Sequence, residues 1–262
     1  MRSGKLVAAF AVLLVVSFAV MNAMPSDTLL AALLQEAVLA LVALVAVGLA
    51  VPDALKRCTQ TVQQRSIVRF TAITLLLVGL VGGAITLLAW LFAGGGNMAG
   101  FASTALPSTA DLMENLLLLL GICLLTGLYE ESFMRVLGIE AFERALDTKR
   151  AILASAALFA LLHVGAPDVS AGQLVLLQTA LKFGQALLFG VILGALYVRT
   201  RRLWPCAFIH AGFDVLYMTP NVLLTGTMPE TYASGAVGDT VLLAVSVLML
   251  SGIVLKIRKE IA

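Results

Sequence analysis

The chain has 262 residues, of which 61% are hydrophobic and 12% charged, and its formal net charge is +2. Because soluble domains carry about 25% charged residues and the mean hydropathy here is +1.03, the composition excludes an ordinary soluble domain and indicates a polytopic membrane protein. The small net charge gives no nucleic-acid-binding signature, and three cysteines without paired spacing indicate no disulfide framework or Cys-x-x-Cys metal site, only buried thiols.

Eight apolar runs are long enough to cross a bilayer, which takes about 20 helical residues. They are approximately residues 6–24, 28–51, 67–92, 112–137, 148–165, 171–198, 203–220 and 237–255. Lipid offers backbone groups no hydrogen-bond partners, so the spanning form is helical. The sequence therefore predicts an all-α membrane bundle of about eight transmembrane helices, forming one integral-membrane domain over residues 1–262. The first run is predicted to be a retained helix and not a cleaved signal peptide.

Basic residues alternate along the chain. Fifteen of the 17 lysines and arginines lie before the first run, in or at the edges of the second, fourth and sixth connections, and after the last run. The other connections, 25–27, 93–111, 166–170 and 221–236, contain none. Since cytoplasmic loops are enriched in lysine and arginine, this pattern predicts a multi-pass protein of a bacterial plasma membrane with both termini in the cytoplasm.

Ionisable side chains inside the runs are the candidate functional residues, because such groups are costly in hydrocarbon. They are Glu36, Glu130, Glu131, Arg135, His163, Lys182, His210 and Asp214. Counting from the cytoplasmic charges at about 1.5 Å per residue places Glu130, both histidines and Asp214 roughly 12 to 21 Å deep. Three different helices are thus expected to bring polar groups into one layer.

Spacing within the helices suggests which groups meet, because residues four apart share a face. Glu131 and Arg135 have this spacing and can hold each other. Glu130 and Glu131 point about 100° apart, so they are expected to have different roles. Helix rotation decides which of the two is the base, and the sequence leaves that choice open.

The other two polar helices have the same four-residue spacing. His210 and Asp214 can pair or point together at a third group, and Phe159 stands one turn before His163 and can shield it from lipid. A carboxylate near two imidazoles can take a proton from water that attacks a carbonyl, while the imidazoles bind a metal or stabilise the oxyanion. This set favours amide hydrolysis.

Other designs for intramembrane hydrolysis are absent from the sequence. It contains no His-Glu-x-x-His zinc helix, no Gly-x-Ser-Gly nucleophile segment, and only one intramembrane aspartate where an aspartyl pair needs two.

Three motifs occur in order on successive apolar runs. They are Glu130-Glu131-x-x-x-Arg135, Phe159-x-x-x-His163 and His210-x-x-x-Asp214. In this order they resemble the CPBP intramembrane proteases, the family of CAAX proteases and bacteriocin-processing enzymes that is also called Abi. The resemblance covers about residues 112–218, and the remaining runs match only as hydrophobic helices.

The resemblance implies a helical bundle with a polar cavity open to the cytoplasm and an endopeptidase that uses a glutamate-activated water. Glu130 would be the general base, and His163 would help to bind the water or a metal. His210 with Asp214 would form the oxyanion site or a second metal-binding element. Glu131 with Arg135 would support and position Glu130.

A divalent metal such as zinc is a further implication. Its ligands would be Glu130, His163, His210 and Asp214. The family often has asparagine or a nonpolar residue at the last position, and the extra charge of Asp214 favours a cation there.

A second polar group lies in the sixth run, where Lys182 shares a face with Gln178 and Gln185. This stripe either lines the cavity and meets a substrate carboxylate or an embedded glutamate, or forms hydrogen bonds that fix helix packing. Glu36 is predicted to be a structural partner, and Cys123 a packing residue.

These observations favour an intramembrane endopeptidase that cleaves a peptide or a membrane-protein segment from the cytoplasmic side, with the bilayer and its substrate as partners and no nucleic acid. One alternative is a small proton-coupled transporter, which needs titratable groups through the full depth of the bilayer. The other is a catalytically idle scaffold or immunity protein that sequesters a membrane partner.

Overall fold

A computed structural model describes residues 2–24, 26–56, 64–92, 107–164, 170, 172–229 and 232–261, and these residues form helices without any strand. The helices are α1 (Arg2–Ala23), α2 (Leu29–Ala50), α3 (Pro52–Lys56), α4 (Arg65–Phe92), α5 (Thr109–Glu131), a π-helical segment (Ser132–Ile139), α6 (Glu140–Phe142), α7 (Thr148–Val164), α8 (Gln173–Thr200), α9 (Leu203–Thr225) and α10 (Val237–Ile261).

The eight long helices coincide with the eight predicted runs, and the predicted all-α membrane bundle is confirmed. Among the described residues, six helices are long and apolar enough to cross a membrane. They are α1, α2, α4, the continuous helix from Thr109 to Phe142, α8 and α10. The two others carry the polar motifs: α7 has 17 residues, and α9 holds His210 and Asp214 near its middle.

Several helix ends differ from the predicted bounds by four to six residues, among them the start of α1 and the end of α10. The fourth run was expected to end at residue 137, but helical structure continues to Phe142 because residues 132–139 widen into a π-helix before α6 begins. α9 continues past Pro220 to Thr225 and is followed by Gly226, whose φ of 70° is the left-handed conformation common after a helix. Proline is tolerated inside membrane helices where neighbouring groups satisfy the freed backbone.

The motif-bearing helices occupy the centre of the bundle. α9 packs against α4 and α5, α5 packs against α2, and α8 lies between α7 and α10. Small residues allow close approach, as expected for helix contacts in lipid. A β-carbon on Gly127 of α5 would lie 2.6 Å from the carbonyl oxygen of Ala207 in α9, and one on Gly190 of α8 would lie 2.9 Å from the side chain of Ala156 in α7.

A bidentate ion pair closes the face of the bundle that carries the basic connections. The guanidinium of Arg201, just after α8, donates from Nη1 and Nη2 to the two carboxylate oxygens of Glu143, each at 2.8 Å. Thr148 at the start of α7 donates to the same carboxylate at 3.0 Å. These bonds lower the pKa of Glu143 below its ordinary value, so the carboxylate stays charged and joins two connections.

Two of the three cysteines have the buried, unpaired thiol that the sequence predicts. Cys123 and Cys206 are buried and free, as predicted. Cys58 lies outside the described residues, as do the connections 57–63 and 93–106.

We predict that Gly127→Ala lowers stability, because the added methyl group has no room between α5 and the backbone of α9. Overpacking of this kind typically costs about 1 to 3 kcal/mol. Unfolding of the purified protein in detergent measures the loss. Gly252→Ala in α10 is the matched control, since its β-carbon meets nothing within 4 Å; equal stability of the two variants would contradict the close contact.

Candidate active site

A fully buried ion pair lies at the junction of α5 and the π-helical segment. Arg135 donates from Nε to Oε2 of Glu131 at 2.9 Å and from Nη2 to Oε1 at 3.3 Å, and both side chains are 0% exposed. Nη1 of Arg135 contacts the hydroxyl of Ser155 in α7 at 3.4 Å, and that hydroxyl donates to the carbonyl of Met134 at 2.6 Å. The pair is thereby bonded to two helices.

The π-helical segment buries this arrangement. All eight of its residues are buried, and π-helical turns frequently occur at functional sites. The guanidinium of Arg135 also lies over the ring of Phe159, 5.0 Å from its centroid. Glu131 is therefore held in place by α5, α7 and the π segment together.

Glu131 also determines the orientation of His210. Nδ1 of His210 lies 2.9 Å from Oε1 of Glu131, and a carboxylate held by arginine only accepts hydrogen bonds. Nδ1 therefore carries the hydrogen, and Nε2 faces the other way. Nε2 lies 3.4 Å from Oδ2 of Asp214 and 3.5 Å from Oε2 of Glu130.

His163 is oriented in a similar way by its own helix. Its Nδ1 lies 2.9 Å from the carbonyl oxygen of Phe159, which accepts the hydrogen bond, so Nε2 is free. Nε2 of His163 lies 3.9 Å from Oε1 of Glu130. Both histidines thus present Nε2 to the same carboxylate.

The two adjacent glutamates have different environments. The side chain of Glu130 is 19% exposed and lines a cavity, whereas Glu131 has no exposed surface. Oε2 of Glu130 is buried and has no hydrogen-bond partner among the described residues. Helix rotation therefore turns Glu130 toward the cavity and Glu131 toward Arg135.

Aromatic rings form the apolar wall around the histidines. Phe159 packs on His163 with ring centroids 4.2 Å apart, and Phe189 of α8 packs on His210 at 4.8 Å. Phe159 is 3% exposed. These rings limit how the imidazoles can turn, so the direction of each Nε2 is fixed by a hydrogen bond on one side and a ring on the other.

The cavity in front of Glu130 has a volume of about 300 Å³ and is lined by residues from α2, α5, α7, α8 and α9. Its lining includes Ser26, Met228 and Tyr232, which lie on connections that contain no lysine or arginine. The resemblance implies a cavity open to the cytoplasm, and that orientation stays a prediction.

The remaining polar residues singled out in the sequence have two kinds of environment. Gln178 fixes packing: it donates to the carbonyl of Ala236 at 2.7 Å and to the hydroxyl of Thr240 at 2.9 Å. Lys182, Glu36 and Cys123 instead line the cavity. Oε2 of Glu36 is buried without a hydrogen-bond partner among the described residues.

The four predicted metal ligands are neighbours, with the histidine–carboxylate distances of 3.4 to 3.9 Å given above. However, no group of three or more histidine, cysteine, aspartate or glutamate side chains in the described ranges is arranged to hold a metal ion. Zinc binding by these four residues therefore stays a prediction.

A comparison with protein families decides the classification. Residues 112–216 match the family model described as type II CAAX prenyl endopeptidase Rce1-like. This segment is therefore similar to the Rce1-like domains of the CPBP family. The matched segment runs from α5 into α9 and contains every residue of the three motifs, which confirms the resemblance found in the sequence. No curated protein sequence matches the chain.

The similarity to this family indicates the general class of activity. An Rce1-like domain supports an intramembrane endopeptidase, a protease whose substrate is a peptide or protein in a membrane. The matched residues span less than half of the chain. α1, α2, α4 and α10 lie outside them, although α2 contributes Glu36 to the cavity.

Some residues around the site were not predicted from the sequence. Ser155 contacts Arg135. Ser155, Phe159 and His163 are four residues apart, so helical periodicity places Ser155 on the same face of α7 as the motif, and this was its only signal in the sequence. Phe189, which packs on His210, and Tyr232, which lines the cavity from a connection, had no signal in spacing because other elements place them there.

We predict that Arg135→Met lowers the free energy of unfolding by about 3 to 5 kcal/mol, because it leaves Glu131 as a buried unpaired charge. A double variant with Glu131→Gln should recover part of this loss. Unfolding in detergent measures both. The control is Arg150→Met, whose side chain is 74% exposed in a surface ion pair; a loss no larger than the control's would contradict a structural role for the buried pair.

Proposed function

We propose that this protein is an intramembrane endopeptidase that hydrolyses a peptide bond of a membrane-associated protein or peptide, with Glu130 as the general base. The observation that carries the proposal is the convergence on Glu130 of Nε2 from two histidines, at 3.5 and 3.9 Å. Glu131 is bound to Arg135 and His210 on the other side, and so is unavailable as the base.

The proposed reaction begins with a water molecule in the cavity. Glu130 takes one proton from this water as the water oxygen attacks the scissile carbonyl carbon, and the free Nε2 of His163 accepts a hydrogen bond from the other hydrogen, which stays on that oxygen. The protonated ring of His210, whose Nδ1–H is held by Glu131, donates from Nε2 to the developing oxyanion. When the tetrahedral intermediate collapses, the C–N bond breaks and Glu130 delivers its proton to the leaving amine, which restores the Glu130 carboxylate.

Asp214 is assigned to His210 in this scheme. Its Oδ2 lies 3.4 Å from Nε2 of His210, so it favours the protonated ring that the oxyanion requires. Once the carbonyl oxygen becomes negative, the Nε2 hydrogen is shared between Asp214 and the oxyanion. Such positioned donors and bases typically contribute rate factors of about 10² to 10⁴ each.

A divalent metal such as zinc, bound by Glu130, His163, His210 and Asp214, is a separate prediction. If it holds, elemental analysis finds a divalent metal in the purified protein and exhaustive chelation lowers the cleavage rate. Full activity with no metal present would contradict it. The metal would supply Lewis-acid activation of the water.

Two other functions remain as alternatives. A proton-coupled transporter needs titratable groups through the full depth of the bilayer, whereas the histidines and carboxylates of this site meet in one cluster, at 3.4 to 3.9 Å from one another. An idle scaffold would share the fold and show no cleavage, so it is distinguished only by assay.

We predict that Glu130→Gln lowers kcat about 10² to 10⁴-fold, because it removes the base. Its unfolding temperature should stay close to that of the wild type, since one carboxylate oxygen has no hydrogen-bond partner in the described structure. The assay uses an internally quenched, farnesylated peptide that ends in a cysteine, two aliphatic residues and a free carboxyl-terminal residue, with the purified protein in lipid nanodiscs.

The matched control is Glu114→Gln, an exposed glutamate on the same helix, which should cleave at the wild-type rate. Equal cleavage by wild type and Glu130→Gln would overturn the assignment of the base. No cleavage by the wild type of this or related peptides would favour the scaffold.

A further inference from the structure

A further carboxylate faces the cavity from α2, a helix that lies outside the matched segment. Glu36 lines the cavity together with Thr126 of α5, whose hydroxyl lies beside the Glu36 carboxylate. The neighbouring side chain of Gln35 is engaged elsewhere, since it donates from Nε2 to the carbonyl oxygen of Met24 at 2.9 Å. Glu36 therefore reaches the cavity from a wall that the three motifs do not provide.

The carboxylate of Glu36 has hydrogen-bonding capacity that the described residues leave unused. Its Oε2 is buried and has no hydrogen-bond partner among them, and no lysine, arginine or histidine of those ranges forms an ion pair with it. The other cavity carboxylates differ, because Glu130 and Asp214 lie 3.5 and 3.4 Å from Nε2 of His210. Since ionised groups within a membrane usually pair with opposite charge, Glu36 lacks a cation.

The cavity also offers apolar surface for an aliphatic stem. Ala32, one turn before Glu36 in α2, packs in one hydrophobic cluster with Ile122, Met218 and Met228, and all four line the cavity. Methionine side chains adapt to irregular shapes, and lysine and arginine bury their methylene stems along apolar surface while the charged head meets a polar partner. A lysine or arginine side chain therefore fits this wall.

The position of Glu36 relative to the base sets the distance to the scissile bond. Thr126, beside Glu36, precedes Glu130 by four residues of α5, which corresponds to about 6 Å along the helix axis. An extended peptide covers that length in about two residues. The side chain that reaches Glu36 thus belongs to a residue about two positions from the scissile bond.

We propose that Glu36 binds the cationic side chain of a lysine or arginine about two residues from the scissile bond of the substrate, with the hydroxyl of Thr126 as a second acceptor. The proposal rests on the proposed endopeptidase function. The ammonium or guanidinium neutralises the buried carboxylate, and its stem packs against Met218 and Met228. The enzyme then favours substrates that carry a basic residue at this position.

The test compares two series of farnesylated peptides. One series carries a single lysine at each position within three residues of the scissile bond, except at the farnesylated cysteine, and the other carries norleucine there. Norleucine keeps an unbranched stem and lacks the ammonium. At a position about two residues from the scissile bond, the wild type should cleave the lysine peptide with a kcat/KM roughly 10- to 100-fold higher, mainly through KM, since the lysine adds a charge-assisted contact.

Variants assign this preference to the carboxylate. Glu36→Gln, which keeps the shape of the side chain, should lower kcat/KM for the lysine peptide to about the value for the norleucine peptide. Glu36→Asp should retain part of the preference. The matched control is Glu114→Gln, at an exposed glutamate near the start of α5, which should keep the full preference for lysine.

Three results would overturn the proposal. The first is equal cleavage of the lysine and norleucine peptides by the wild type at every position, a comparison that needs no variant to fold. The second is an unchanged preference in Glu36→Gln, and the third is an equal loss on both peptides in that variant, which would make Glu36 a structural residue. Each of them leaves cleavage by the wild type intact, whereas undiminished cleavage by Glu130→Gln would contradict the endopeptidase mechanism itself.

Discussion

The buried pair between Glu131 and Arg135 is the interaction on which the rest of the site depends. An unpaired charge is energetically costly in a bilayer, and neither side chain of this pair is exposed. Each charged group therefore needs well-placed hydrogen-bond partners. The π-helical segment supplies Arg135 from the next turn, and Ser155 and Phe159 of α7 contact the guanidinium. Because Glu131 also binds Nδ1 of His210, one carboxylate connects three helices and sets the direction of an imidazole.

The same interaction separates the two glutamates. Adjacent residues on a helix point about 100° apart, so once Glu131 is committed to Arg135, Glu130 has to face another direction, and that direction is the cavity. The Nε2 atoms of both histidines converge there. A structural ion pair and a candidate base thus arise from neighbouring residues of one chemical type, because the environment on each side of α5 differs.

Much of this arrangement was predictable from the sequence, for reasons that are local. Hydrophobic length predicted the helices, and the four-residue spacing from Glu131 to Arg135 and from Phe159 to His163 predicted contacts that lie within one helix. The π segment was not predictable, because its backbone bonding leaves no periodic signal in eight residues. The side toward which the cavity extends depends on which residues fill each end of the bundle, and Tyr232 reaches the cavity from a connection. Both depend on packing between distant segments.

Chemical rescue tests the division of roles between the two glutamates most directly. The measurement is the cleavage rate of Glu130→Ala and of Glu131→Ala, each with increasing concentrations of formate, a carboxylate small enough for a cavity of about 300 Å³. If Glu130 is the base and Glu131 a structural partner, formate restores part of the rate to Glu130→Ala and none to Glu131→Ala. Rescue of Glu131→Ala, with Glu130→Ala unaffected, would contradict this account.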